Sequence, residues 1–137
     1  MKRVLGLDIG SKRIGVAVSD PLGITAQSLA VIKAESDQEI VEKLKPIIND
    51  QKVDEIVLGL PLNMNGTEGP QAKRVIEFCD FLKGEINIPV KLWDERMTTA
   101  QVERIMIEAD VTRKKRKEKI DKLAAQVILQ SYLDSIK

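Results

Sequence analysis

Three short apolar runs open the chain, 3–9 (RVLGLDI), 14–19 (IGVAVS) and 25–32 (TAQSLAVI), separated by Gly10-Ser11-Lys12 and Asp20-Pro21-Leu22-Gly23. They are rich in β-branched residues and the spacers are tight turns, so the pattern predicts an antiparallel three-stranded meander. The period then changes. Ser36 followed by Glu39 is a capping box, and Ile40, Val41, Leu44, Ile47 and Ile48 continue at helical spacing, with Pro46 expected to kink or break the helix. Residues 53–58 (VDEIVL) read as a buried strand, and Gly59 to Gly69 as a polar, glycine-rich loop. Pro70 suits the first turn of a helix that carries Val75, Ile76, Cys79 and Leu82 on one face and ends near Gly84.

Residues 89–93 (PVKLW) predict a fifth strand, and a second capping box, Thr98 with Gln101, opens a helix containing Val102, Ile105 and Ile107. Arg113-Lys114-Lys115-Arg116-Lys117 reads as a basic linker before a last helix from about Glu118 to Ile136. The order βββ-α-β-α-β-α-α, without repeats or low-complexity tracts, predicts a single α/β domain over residues 1–137.

Composition narrows the chemistry mostly through absences. A net charge of +1 says little about partners, so only local basic patches bear on nucleic acid. There is no histidine, which excludes His general bases, Ser-His-Asp triads, HNH-type nucleases and His-ligated zinc. The lone cysteine, Cys79, excludes an intrachain disulfide and falls among apolar helix positions as core packing. No apolar run is long enough to span a bilayer, and the N-terminus reads straight into a strand without a secretory apolar region; the expected location is the cytoplasm.

Three acids stand out. Asp8 lies inside an apolar strand, on the same side as Val4 and Gly6 by alternation, where an ionised carboxylate is costly unless paired or metal-bound. Glu95 directly follows the fifth strand, in the region where α/β sheets line their ligand crevice. Asp121 precedes Ala125, Ile128 and Tyr132 at helical spacing, and the small Ala124 and Ala125 permit close approach to a sheet. Taken singly, these acids also fit an Asx turn, a solvated loop and a helix-dipole partner. Taken together, three hard oxygen ligands with no histidine or thiol suit Mg²⁺ or Mn²⁺ and point to metal-assisted phosphodiester cleavage.

At these residues the chain resembles the YqgF/RuvX family of pre-16S ribosomal RNA nucleases and Holliday junction resolvase-like proteins. The resemblance rests on Gly6–Asp20 (GLDIGSKRIGVAVSD), Gly59–Thr67 (GLPLNMNGT), Asp94–Thr99 (DERMTT) and Ile120–Ala125 (IDKLAA), in the family's order and over nearly the whole chain. It implies a ribonuclease H-like fold with a central mixed five-stranded sheet, the first and fourth strands parallel neighbours, and Asp8 beside Gly59-Leu60-Pro61. It also implies that Asp8, Glu95 and Asp121 are the catalytic, metal-binding acids. One departure stands out. RuvC-type resolvases carry an Asp-x-x-Asp-like pair on the last helix, and Ala124 occupies the second place here.

Lys12, Arg13 and Arg96 adjoin the candidate acids, and Arg113, Lys114, Lys115 and Arg116 precede Asp121; these are the expected phosphate contacts, with Asn65 in the polar loop as a further one. The expected partner is nucleic acid, ribosomal RNA precursor before branched DNA, with ribosomal particles in the background and the chain a monomer or weak homodimer. The alternatives are a Holliday junction resolvase and a non-catalytic RNA-binding module. Asp8-Ile9-Gly10 with Gly15 also resembles the first phosphate loop of actin-like ATPases and sugar kinases, which need a second such domain.

Overall fold

The computed structural model describes residues 2–63, 65–94 and 113–136, the last segment with side chains from residue 123 onward. Five strands, β1 (Val4–Ile9), β2 (Arg13–Ser19), β3 (Ala26–Lys33), β4 (Glu55–Leu60) and β5 (Val90–Asp94), form one mixed sheet in the order β3-β2-β1-β4-β5. The meander is antiparallel, as the tight turns require, while β4 and β5 run parallel to β1. The helices are α1 (Asp37–Gln51), α2 (Pro70–Glu85) and α3 (Arg113–Ser135).

Alternation along the strands divides the interior in two. Leu5, Leu7 and Ile9 of β1 and Ile56 and Leu58 of β4 point to one face, where Ile40, Val41 and Leu44 of α1 and Val75, Phe78, Cys79 and Leu82 of α2 cover them. Val4, Ala17 and Val57 point to the other face, where α3 supplies Ala125, Ile128, Leu129, Tyr132 and Leu133. Strands buried on both faces read as nearly continuous apolar runs, which is what β1 and β4 are.

α3 lies very close to the sheet. A Cβ added to Gly6 would fall 2.7 Å from Leu129 Cβ and 3.2 Å from the Ala125 carbonyl oxygen. The flanks of α3 are pinned by polar side chains. Gln126 Nε2 donates to the Ala26 carbonyl, Gln130 Oε1 accepts from the Ala26 N–H, and Gln130 Nε2 donates to the Ile24 carbonyl. One helical turn along α3 therefore moves the contact backward along the β3 chain. Since β3 runs parallel to β1, α3 runs antiparallel to both, and its early turns lie toward the C-terminal end of β1. At the other end of β3, Lys43 Nζ donates to the Lys33 carbonyl at 2.7 Å, and a register shift between Val16 and Ala17 interrupts the β2–β3 ladder.

Some boundaries differ from expectation. β4 begins at Glu55, and Val53 is buried without joining the ladder, its N–H donating to the Ile48 carbonyl after Lys52 turns the chain at φ 51°. α1 continues through Pro46, which sits on its exposed side. α2 extends through Glu85, one residue past Gly84. The basic run is no linker: Arg113 already belongs to α3, because Lys, Arg and Glu favour helix and no Gly or Pro interrupts the segment. The expected helix around Val102, Ile105 and Ile107 lies outside the described residues.

Gly6→Ala should force α3 away from the sheet and lower stability by about 1–3 kcal/mol, the usual range for overpacking. Urea melts at fixed pH would measure it, and a loss below about 0.5 kcal/mol, the scale of an ordinary surface change, would contradict the close-approach account.

Candidate nuclease site

The parallel register of β1, β4 and β5 brings three strand ends to one edge. Leu7 pairs with Leu58 and Leu58 with Leu92, so Asp8, Gly59 and Trp93 stand one residue further on at a common level. Asp8 is half-buried, faces the α3 side with Gly6, and is paired across β2 with Gly15, which leaves the space beside it free of a Cβ. The β1–β2 turn closes through the Gly10 N–H donating to the Arg13 carbonyl at 2.8 Å. A Cβ at Gly10 would lie 2.6 Å from that oxygen, so glycine is required for this turn. Gln71 Nε2 donates to the Ile9 carbonyl at 2.5 Å, tying the first turn of α2 to the end of β1.

The loop after β4 is held by its own side chains. Asn65 Oδ1 accepts from the Thr67 N–H (3.1 Å) and hydroxyl (2.6 Å), and Asn63 Nδ2 donates to Thr67 Oγ1 at 3.0 Å. Gly66 takes φ 85°, a conformation that suits glycine. The carbonyl oxygen of the Asn65 side chain is thus engaged within the loop, while the residue itself is exposed.

Of the other expected residues, Lys12 is exposed and Arg13 half-buried at the start of β2. Glu95 and Arg96 lie outside the described residues. Asp121 and Arg113, Lys114, Lys115 and Arg116 are placed as backbone positions in the first turns of α3. Among the described residues no three acids or other metal-ligating side chains converge. Ala124 is 3% exposed, so an acid in its place would be buried against the sheet.

Two arrangements escape a reading by local pattern. Lys33 stands directly opposite Arg13 in the β2–β3 register. Alternation combined with the hairpin register carries that signal, but the two residues are far apart in sequence. The second arrangement is a buried carboxylate at the opposite end of the sheet. Glu55 is 1% exposed, accepts from the Tyr132 hydroxyl and meets Lys91 Nζ at 3.2 Å and Lys2 Nζ at 3.4 Å. Trp93 packs edge-on against Tyr132 and donates through Nε1 to Ser131 Oγ at 3.2 Å. Burial pushes the Glu55 carboxyl up, but the hydrogen bonds from Tyr132 and Lys91 and the nearby lysine charges outweigh it and leave the carboxyl below its ordinary value.

The strand order β3-β2-β1-β4-β5, three antiparallel strands followed by two parallel ones, is that of a ribonuclease H-like fold. Solved structures share this fold. Thermus thermophilus RuvC bound to a Holliday junction substrate superposes with a TM-score of 0.61 over 99% of this chain and 96% of that one, at 14% identity. The fowlpox virus Holliday junction resolvase gives 0.55 over 97% and 99%, at 18% identity. At such identities the likeness is one of fold. A family model described as "RuvX: Holliday junction resolvase" matches residues 2–135. A Clostridium kluyveri protein named "Putative pre-16S rRNA nuclease" is 55% identical over 98% of both chains, and a Clostridium botulinum protein of the same name is 54% identical over the same shares. The chain belongs to the RuvX family, and with it to the nucleases.

Because the Glu55 carboxyl titrates below its unfolded value, its contribution to stability is fully present above the ordinary glutamate range and is lost as pH falls below that range through the lowered folded value. Glu55→Gln should therefore be destabilised by on the order of 1–2 kcal/mol at neutral pH, and its gap to the wild type should close below about pH 4.3. Thermal melts across pH test this, and a gap that does not vary with pH would count against the charge network.

Proposed function

We propose that this chain is a single-domain, cytoplasmic, metal-dependent endonuclease that cleaves phosphodiester bonds in 5′-end maturation of pre-16S ribosomal RNA, with Asp8, Glu95 and Asp121 as its catalytic acids. The observation that carries the reading is the position of Asp8, half-buried at the end of β1 on the face that α3 covers. From Gly6 to Asp8 the strand advances about 6.6 Å. From Ala125, above Gly6, back to position 121 the helix recedes about 6 Å. Antiparallel packing makes these two steps run the same way, which supports pairing Asp8 with Asp121. Glu95 follows β5, whose end is level with that of β4.

The donors fit Mg²⁺ or Mn²⁺. The three proposed acids, Asp8, Glu95 and Asp121, are all carboxylates, hard oxygen donors in a chain without histidine. Such a cation, when bound, supplies Lewis acidity at a phosphoryl oxygen and a more acidic water. The chain itself contributes anchorage. Asp8 is fixed by the β1 ladder, Gly15 leaves room beside it, and Lys12, Arg13, Arg96, Asn65 and the basic first turns of α3 (Arg113, Lys114, Lys115, Arg116) hold the nucleic-acid backbone. Among the described residues no helix is long and apolar enough to cross a membrane, in keeping with action on ribosomal particles.

A Holliday junction substrate is the second reading, favoured by the description of the family. Ala124 argues against it, since the second acid of the last helix is missing and its place is buried.

Asp8→Asn, Glu95→Gln and Asp121→Asn should each abolish Mn²⁺-dependent cleavage of a 5′-extended ribosomal RNA precursor fragment while leaving the circular dichroism melt intact, since each removes an anionic ligand with little change of shape. Full activity in any one variant would remove that residue from the site. Faster, paired nicking of a four-way junction in the same buffer would transfer the assignment to junction resolution.

A further inference from the structure

The strand that carries Asp8 outruns its parallel neighbour. β1 extends to Ile9, but its ladder with β4 runs from Val4–Glu55 to Leu7–Leu58 and stops there. Among the described residues, the strand pairing of Asp8 and Ile9 is with Gly15 and Ile14 of β2 alone. Along a strand, the N–H and carbonyl of one residue point to one side and those of the next residue to the other. The Gly10 N–H turns toward β2, where the Arg13 carbonyl accepts it, and the Arg3 carbonyl turns toward β4, where it accepts from the Glu55 N–H at 3.3 Å. The Ile9 carbonyl has the parity of Arg3 and therefore faces β4. Carrying the register onward from Arg3 and Glu55, the donor due at Ile9 is the N–H of residue 61. That residue is Pro61, which has none. The chain turns at the same point, with the Leu62 N–H donating to the Leu60 carbonyl at 3.0 Å.

Gln71 supplies the missing donor. Its Nε2 donates to the Ile9 carbonyl at 2.5 Å from the first turn of α2, directly after Pro70. The loop between β4 and α2 fixes that turn. The Asn63 N–H donates to the Thr67 carbonyl at 2.9 Å, the Gly66 N–H donates to the Asn63 carbonyl at 2.8 Å, and a Cβ at Gly69 would lie 3.2 Å from Asn63 Oδ1. We propose that Gln71 is a positioning residue for the nuclease reaction, which holds the end of β1, and with it Asp8, in place of the ladder bond that Pro61 cannot make. This rests on the reading of Asp8 as a catalytic acid. Asp8 is joined to Ile9 by one peptide unit, so a shift of the Ile9 carbonyl turns the backbone from which the Asp8 carboxylate projects. α2 covers the face of the sheet that Ile9 presents, whereas Asp8 faces α3, so Gln71 acts through the strand.

The test compares the wild type with Gln71→Ala, which removes the donor, and Gln71→Lys, which restores one on a side chain of similar reach. Gln71→Ala should lower kcat for Mn²⁺-dependent cleavage of a 5′-extended ribosomal RNA precursor fragment by about tenfold or more, since displacing catalytic groups by on the order of 1 Å costs roughly a hundredfold. KM should stay unchanged. Amide hydrogen exchange at Gly10, whose N–H closes the β1–β2 turn, should become faster. Gln71→Lys should recover the greater part of both effects. Wild-type kcat and exchange in Gln71→Ala would overturn the role. So would a raised KM with kcat kept, which marks a direct substrate contact, or a loss of activity or of the thermal melt that Gln71→Lys does not recover. Asp8→Asn separates this inference from the reading beneath it. Wild-type cleavage by that variant would sink both, whereas an inactive Asp8→Asn beside a fully active Gln71→Ala would sink the positioning role alone.

Discussion

The depth at which α3 sits on the sheet is set by one missing side chain. At Gly6 the helix backbone comes within van der Waals reach of the strand, a distance that any Cβ would forbid. The small Ala124 and Ala125 complete the fit from the helix side, and both are buried. Close packing of this kind tolerates little change in volume. Once the depth is fixed, glutamines on one flank and the Tyr132–Glu55 contact on the other fix the roll of the helix. The position of the first turns of α3 relative to Asp8 is then no longer adjustable. The site proposed for Asp8 and the first turns of the helix would need that rigidity, because sub-ångström placement of charged groups decides how well they act together.

The strands were legible because their signals are local. Alternation alone assigned Asp8 to the side of Val4 and Gly6, and the structure agrees. Asp8 itself was legible because a carboxylate inside an apolar run is an anomaly that demands a partner. The start of β4 was misread by two residues because Val53 is apolar for a different reason: it plugs the core while the chain is still turning out of α1. The basic run was read as a linker because charge density resembles solvation, although its residues are good helix formers. Glu55 and Lys33 were illegible by local pattern. Each gains its meaning from partners in other strands or in α3, brought close only by the register of the sheet.

The comparison with known proteins supplies the family, and the residue-level reading places Asp8 at one edge of the sheet. The family match spans nearly the whole chain, but it does not say which side of Asp8 a substrate occupies. Around that residue, Arg13 and Lys33 face each other across β2 and β3 on one flank, and Asp94 ends β5 on the other.

The outer edge of β3 bears on how the protein behaves in a crowded solution. A strand at the margin of a sheet offers free amides and carbonyls to any passing chain and can seed fibrous association. Here Gln126 and Gln130 occupy the polar groups of Ala26, Lys43 occupies the carbonyl of Lys33, and the irregular ladder between them breaks the straight row that a docking strand would need. The side chains that fasten the helix therefore also guard the margin. Losing one of those glutamines would leave the protein folded yet more prone to stick to its own copies, a liability in aggregation that a melting temperature would not reveal.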